Sequence, residues 1–136
     1  LRDAVQRGTL SAICSDHQPH EPDAKSGPYP STEPGASGLD TLLSLSLRYG
    51  EEQGVPLPVL VDRLTRGPAR ILGLPYGTLS AGASADICMF DPERTWMVDN
   101  GNLASNGHNT PFRGWEMQGR VTHTLLDGRV VYSIVD

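Results

Sequence analysis

The sequence predicts an α/β chain that passes into a small β-rich module, and three observations carry that reading. A short apolar run, Leu10-Ser11-Ala12-Ile13-Cys14-Ser15, ends in a cluster of polar residues, as a buried parallel strand does where it opens onto a site. Leucines recur at helical spacing through residues 38–49. Further on, Asp127-Gly128 joins two β-type runs, the strongest local signal for a hairpin.

Taken in order, residues 3–8 read as a helical turn closed by Gly8, and residues 10–15 as the strand. Pro19, Pro22, Pro28, Pro30 and Pro34 follow; each lacks an N–H and fixes φ, so this stretch is a long ordered loop or lid. Residues 38–49 form a helix, and residues 57–64 and 68–72 two shorter amphipathic ones. The character changes at Leu74-Pro75-Tyr76-Gly77, which divides the chain into an α/β part, 1–74, and a β-rich part, 75–136. Residues 86–92 read as a strand ending in an Asp-Pro turn, and residues 121–126 and 129–132 as the arms of the hairpin. The sequence begins in mid-element, and a buried parallel strand needs neighbours on both sides. The expectation is therefore a C-terminal portion of a larger fold, with apolar faces covered by a partner fragment or an oligomer contact.

Composition narrows the function. The 136 residues are 38% hydrophobic and carry a formal net charge of -5, which disfavours a phosphate backbone as partner and argues against nucleic-acid binding. No apolar run approaches the roughly 20 residues that span a bilayer, so no membrane partner is expected and the expected location is cytoplasmic. Cys14 and Cys88 lie in apolar stretches without C-x-x-C spacing and read as buried free thiols.

The densest polar cluster is Ser15-Asp16-His17-Gln18-Pro19-His20-Glu21. A carboxylate and two imidazoles just past an apolar strand suit a metal or acid–base site at the mouth of an α/β barrel. Asp16 can ligate a metal and accept a proton, and His20, braced by Pro19, can present its ring to an anionic or carbonyl group. The same residue types also cap helices and form turns, and spacing alone leaves both readings open. Elsewhere, His108 reads as a solvent or loop-anchoring residue and His123 as a sheet-face residue. Trp96 and Trp115 should pack the β-rich module, Leu42, Leu43, Leu45 and Leu47 the core, and Asp3, Asp62, Glu51 and Glu52 should lie on solvated helix faces.

Ser15-Asp16-His17-Gln18-Pro19-His20 with Lys25, followed by Glu33-Pro34-Gly35-Ala36-Ser37-Gly38-Leu39-Asp40, resembles the D-H-x-P-H and P-G-x-x-G-L-E/D segments of the class I dihydroorotases of the amidohydrolase superfamily. Residues 64–74 are similar to that family's T-x-N-P-A-x-x-x-G-L helix, and residues 77–87 to its G-x-L-x-x-G-x-x-A-D-I/L entry into an accessory β domain. Residues 109–114 and 119–131 match its closing segment. The G-x-x-A-D-I segment is shared by hydantoinases and allantoinases; the second histidine of D-H-x-P-H, together with P-G-x-x-G-L-D, favours dihydroorotase.

The resemblance implies the C-terminal segment of a TIM-type (β/α)8 barrel, with residues 1–74 giving the last strand, substrate loop and closing helices, and residues 75–136 a β-rich accessory domain. It implies a parent that interconverts dihydroorotate and N-carbamoyl-aspartate in pyrimidine biosynthesis and holds two zinc ions. Asp16 would then sit at the metal centre, taking a proton from the metal-bridging hydroxide and passing it to the leaving nitrogen. His20 would contact the substrate carboxylate, and the backbone at Pro34 and Gly35 the pyrimidine ring. The family's His-x-His pair is absent here, so the remaining N-terminal part of the barrel would supply the other zinc ligands, and this chain alone is expected to be inactive. Gln18 stands where active members carry a small residue, and Gly67 where they carry Asn. With Glu-Pro-Asp-Ala-Lys following, the segment also resembles dihydroorotase-like subunits that lack zinc ligands and act as a scaffold for aspartate transcarbamoylase. A hydantoinase-like amidohydrolase is a further alternative.

Overall fold

Proline, glycine and the leucine-rich run partition the chain much as their chemistry requires. The computed structural model describes residues 2–134. Among these, a short helix α1, Arg2–Gln6, leads into residues 10–16, and three helices follow the proline-rich loop: α2, Leu42–Gln53, α3, Leu57–Leu64, and α4, Arg66–Ile71. A three-stranded antiparallel sheet, order β1-β2-β3, closes the chain: β1, Ile87–Met97, β2, Glu116–Leu126, and β3, Arg129–Ser133.

Residues 10–15 do not form the parallel strand their composition suggests. Among the described residues, the parallel pairing near them is an isolated bridge between His17 and Ala36, with the Gln18 N–H donating to the Ala36 carbonyl at 2.9 Å. Ile13 donates its N–H to Arg63 at the end of α3, at 3.0 Å. A ladder needs a second strand alongside, and here the neighbours are a helix end and a loop. The proline-rich loop that follows is ordered by two 3₁₀ turns, Pro22–Lys25 and Tyr29–Ser31, each with proline in its first turn where the missing N–H costs nothing. Lys25 Nζ ties it shut by donating to the Glu33 and Gly35 carbonyls.

Helix α2 meets the sheet at Ser44 and meets α3 at Gly50. Thr41, Ser44, Ser46 and Gly50 are buried, whereas Leu42, Leu43, Leu45 and Leu47, expected as core, are only half-buried and open onto cavities. Small side chains let helix and strand approach: Ser44 Oγ donates to the Gly119 carbonyl at 2.6 Å. Asp62 is likewise more than a solvated surface group, since it pairs with both Arg63 and Arg70. A side chain at position 67 would run into the Ser11 carbonyl oxygen, which accounts for Gly67.

Strand β1 runs on through the expected Asp-Pro turn. Its register against β2 shifts between Asp91 and Thr95, and Asp91 Oδ1 accepts the N–H groups of Glu93 and Arg94 at 2.9 and 3.2 Å. Pro92 sits inside this bulge, where no ladder donor is required. The hairpin is as expected, with Asp127 and Gly128 both at positive φ. Trp96, Val98 and Met117 form the buried cluster, joined by Leu45 of α2 and by Leu103 and Phe112. The Trp96 indole donates to Ser44 Oγ and to the Gly119 carbonyl, both at 3.1 Å, so contacts cross from the first half of the chain to the second. Trp115 is instead 46% exposed, edge-on to Phe112 at 5.4 Å. Both cysteines reach the surface rather than being buried. Large apolar side chains remain uncovered, among them Leu79 at 83% and Val131 at 59% exposure. No helix among the described residues is long and apolar enough to cross a membrane.

Candidate active site

Asp16 occupies the last position before the His17–Ala36 bridge, with φ of 46°. This left-handed conformation is uncommon for a residue with a Cβ, although Asp tolerates it better than most. Its carboxylate is exposed, and Oδ1 accepts a hydrogen bond from Gln18 Nε2 at 2.9 Å. Gln18 faces Gly35 across the bridge: a Cβ at Gly35, whose φ is 105°, would lie 2.6 Å from the Gln18 Cβ and 2.8 Å from its carbonyl oxygen. Only glycine fits both the dihedral and the gap.

His17 is a structural anchor. Its Nδ1 accepts the N–H groups of Gly38 and Leu39 at 3.1 and 3.2 Å, and Nε2 lies 3.4 Å from Ser105 Oγ. With Nδ1 accepting, the ring proton sits on Nε2. The imidazole thus fixes the turn into α2 directly behind Asp16.

Three of the four sequence-predicted residues divide between two cavities. Asp16 and Gly35 line one of about 470 Å³, with Ser37, Thr41, Leu45 and Phe112. His20 lines a second of about 700 Å³, with Glu21, Lys25, His108, Asn109 and Arg113, which sets one carboxylate among cationic and imidazole groups. His108, read from sequence as a solvent or loop-anchoring residue, therefore sits beside His20. Pro34 is exposed and lines neither cavity. The Gly35 carbonyl is already engaged by Lys25 Nζ at 2.9 Å and by Asn109 Nδ2 at 3.5 Å.

Three contributors had no signal in the sequence beyond membership of a motif: Gln18 on Asp16, Asp40, whose Oδ1 accepts the Ala104 N–H at 2.8 Å, and Asn109 on His20. Each is a long-range or side-chain contact that spacing does not encode. Of the ionisable groups, Cys88 is displaced, partial burial pushing its thiol upward from its ordinary value.

The donor set does not by itself suit a metal. Among the described residues no three His, Cys, Asp or Glu side chains gather closely enough to hold one, and Asp16 brings a single carboxylate whose Oδ1 is occupied by Gln18.

Comparison with known proteins is consistent across sequence and structure. A family model described as the amidohydrolase family matches residues 1–131. The chain is 46% identical over 133 residues to a dihydroorotase of Geobacter metallireducens, covering 98% of this chain and 31% of that protein. It is 44% identical over 133 residues to a dihydroorotase-like protein of Pseudomonas aeruginosa, with the same coverage of 98% and 31%. An L-hydantoinase (dihydropyrimidinase) from Arthrobacter aurescens superposes with a TM-score of 0.84 at 28% identity, over 99% of this chain and 32% of that one. The chain thus spans about a third of the length of the curated relatives it matches.

Proposed function

The chain belongs to the amidohydrolase family, and on that premise we propose that it is the C-terminal third of a dihydroorotase-type cyclic amidohydrolase. In this reading residues 1–74 complete a TIM-type barrel and carry its substrate loop, and residues 75–136 belong to a β-rich accessory region. The parent hydrolyses the cyclic amide of dihydroorotate to N-carbamoyl-aspartate, and reverses the reaction. The observation that carries the reading is the convergence of Asp16 and Gly35 on one cavity, built by the two segments that resemble the dihydroorotase motifs.

Asp16 is the proton carrier. Its carboxylate accepts a proton from the water that adds to the amide carbon and delivers it to the ring nitrogen as the C–N bond breaks. The side-chain oxygen not held by Gln18 is the one suited to this transfer. His20 meets the substrate carboxylate in the cavity it shares with Lys25 and Arg113, and the loop backbone at Pro34 and Gly35 addresses the ring. If the parent holds zinc, Asp16 would be the one side chain of this segment to help hold it, the other ligands would come from the remaining N-terminal part of the barrel, and the metal would supply Lewis-acid chemistry.

A second reading has its own support. Gln18 occupies one oxygen of Asp16, and one relative is a dihydroorotase-like protein by name. In that reading the pocket is a relic and the parent is a scaffold for aspartate transcarbamoylase. The full-length protein purified without chelator separates the two: stoichiometric zinc with dihydroorotate turnover supports the enzyme. A folded protein with neither, which assembles with aspartate transcarbamoylase, overturns it. Preference for a hydantoin over dihydroorotate would move the substrate class to that of the hydantoinases.

A further inference from the structure

The loop between β1 and β2 reaches back to the segment carrying the proposed substrate groups, and a single side chain joins the two. Asn109 Oδ1 accepts the backbone N–H of His20 at 3.2 Å, and its Nδ2 donates to the Gly35 carbonyl at 3.5 Å. Its own carbonyl accepts the Ser37 N–H at 3.1 Å. His20 and Gly35 are 89 and 74 positions away in sequence.

Asparagine suits this junction because one planar group carries both a donor and an acceptor, and here each meets a backbone group of a different part of the loop. Other contacts bring the two segments together: Asp40 holds the Ala104 N–H, Ser105 reaches the His17 ring, and Gly107 packs so closely on Pro19 that a Cβ there would overlap the proline ring. The Asn109 carboxamide hydrogen-bonds to both His20 and Gly35.

We propose that Asn109 is a positioning residue of the substrate site: its carboxamide sets the separation of the His20 backbone from the Gly35 turn, so that the β-rich region governs how tightly the loop grips an anionic cyclic amide. This rests on the reading of His20 and Gly35 as substrate-binding groups. Asn109 acts through the backbone of residues that touch substrate, and its effect belongs in binding, not in the chemical step.

The test uses the full-length protein with Asn109→Ala and Asn109→Asp, the latter keeping the acceptor for His20 and losing the donor to Gly35. Two quantities are read: amide hydrogen exchange over residues 17–37, and KM and kcat for dihydroorotate. In Asn109→Ala, exchange accelerates in this segment while β1 and β2 stay protected, and KM rises about tenfold with kcat within about threefold. Asn109→Asp falls between this variant and the parent in hydrogen exchange, while its KM rises at least as far as that of Asn109→Ala, because the new carboxylate lies in the cavity proposed to take the substrate anion. Unchanged exchange and KM overturn the inference, as does a fall in kcat that tracks a general loss of protection through the sheet. Accelerated exchange confined to residues 17–37, in a parent that neither binds nor hydrolyses dihydroorotate, supports Asn109 as the tether and instead overturns the dihydroorotate reading of the site.

Discussion

The carboxamide of Gln18 donates a hydrogen bond to Oδ1 of Asp16 across 2.9 Å, two residues along a chain whose backbone is left-handed at Asp16. The bond occupies one of the two oxygens of the proposed proton carrier and holds its carboxylate in one orientation. Gln18→Ala, which restores a small residue between His17 and Pro19, is therefore expected to raise kcat of the full-length protein by up to about tenfold, the scale of one hydrogen bond to a charged group at an exposed position. A fall in kcat would mean that Gln18 holds Asp16 in its working orientation.

Gly35→Ala places a Cβ 2.6 Å from that of Gln18, at a φ of 105°. The loop must shift or unfold locally, at a cost of about 1–3 kcal/mol. Steady-state kinetics of the full-length protein should show a KM for dihydroorotate raised about tenfold or more, since the displaced turn is the one proposed to meet the ring. Native KM in this variant would remove Gly35 from the site.

His17→Ala deprives the N–H groups of Gly38 and Leu39 of their acceptor. Leaving such groups unpaired costs about 1–3 kcal/mol, to be read as a lower urea midpoint with unchanged slope. An unaltered midpoint would show that solvent satisfies both groups and that the ring is not the anchor described here.

Cys88 reaches the surface, yet its partial burial raises the thiol above its ordinary value. The thiolate is the reactive form, so iodoacetamide at neutral pH should modify Cys88 more slowly in the folded protein than in urea, with the gap closing as pH rises. The sign for stability follows: a value raised on folding contributes below the unfolded value and is lost as pH climbs through the folded one. Peptide mass spectrometry showing equal labelling in folded and unfolded protein at neutral pH would contradict this.

Local chemistry was legible in the sequence where it acts over a few residues. The Asp127-Gly128 hairpin, the three helices after the loop and the proline-broken stretch all follow from dihedral preference and spacing. Misreadings arose where tertiary contact decides. Residues 10–15 have strand composition but pair with no strand among the described residues, and α2 buries Ser44 because its close approach to the sheet selects size over hydrophobicity. Pro92 marked the end of a strand in sequence, whereas the Asp91 side chain caps a bulge and lets β1 continue. At the site, Asp16, His20 and Gly35 were visible as motif members, but the partition of Asp16 and His20 between two cavities was not. Asn109 and Gln18 act through contacts that no periodicity announces.

The account rests on Asp16 carrying the proton between attacking water and leaving nitrogen, and turnover of dihydroorotate by the full-length Asp16→Asn variant measures that role most directly. The amide keeps the shape of the carboxylate and cannot accept the proton, so kcat should fall by about 10²–10⁴-fold while substrate binding is largely retained. Turnover equal to that of the unaltered protein would contradict the assignment and leave Asp16 a turn residue held by Gln18.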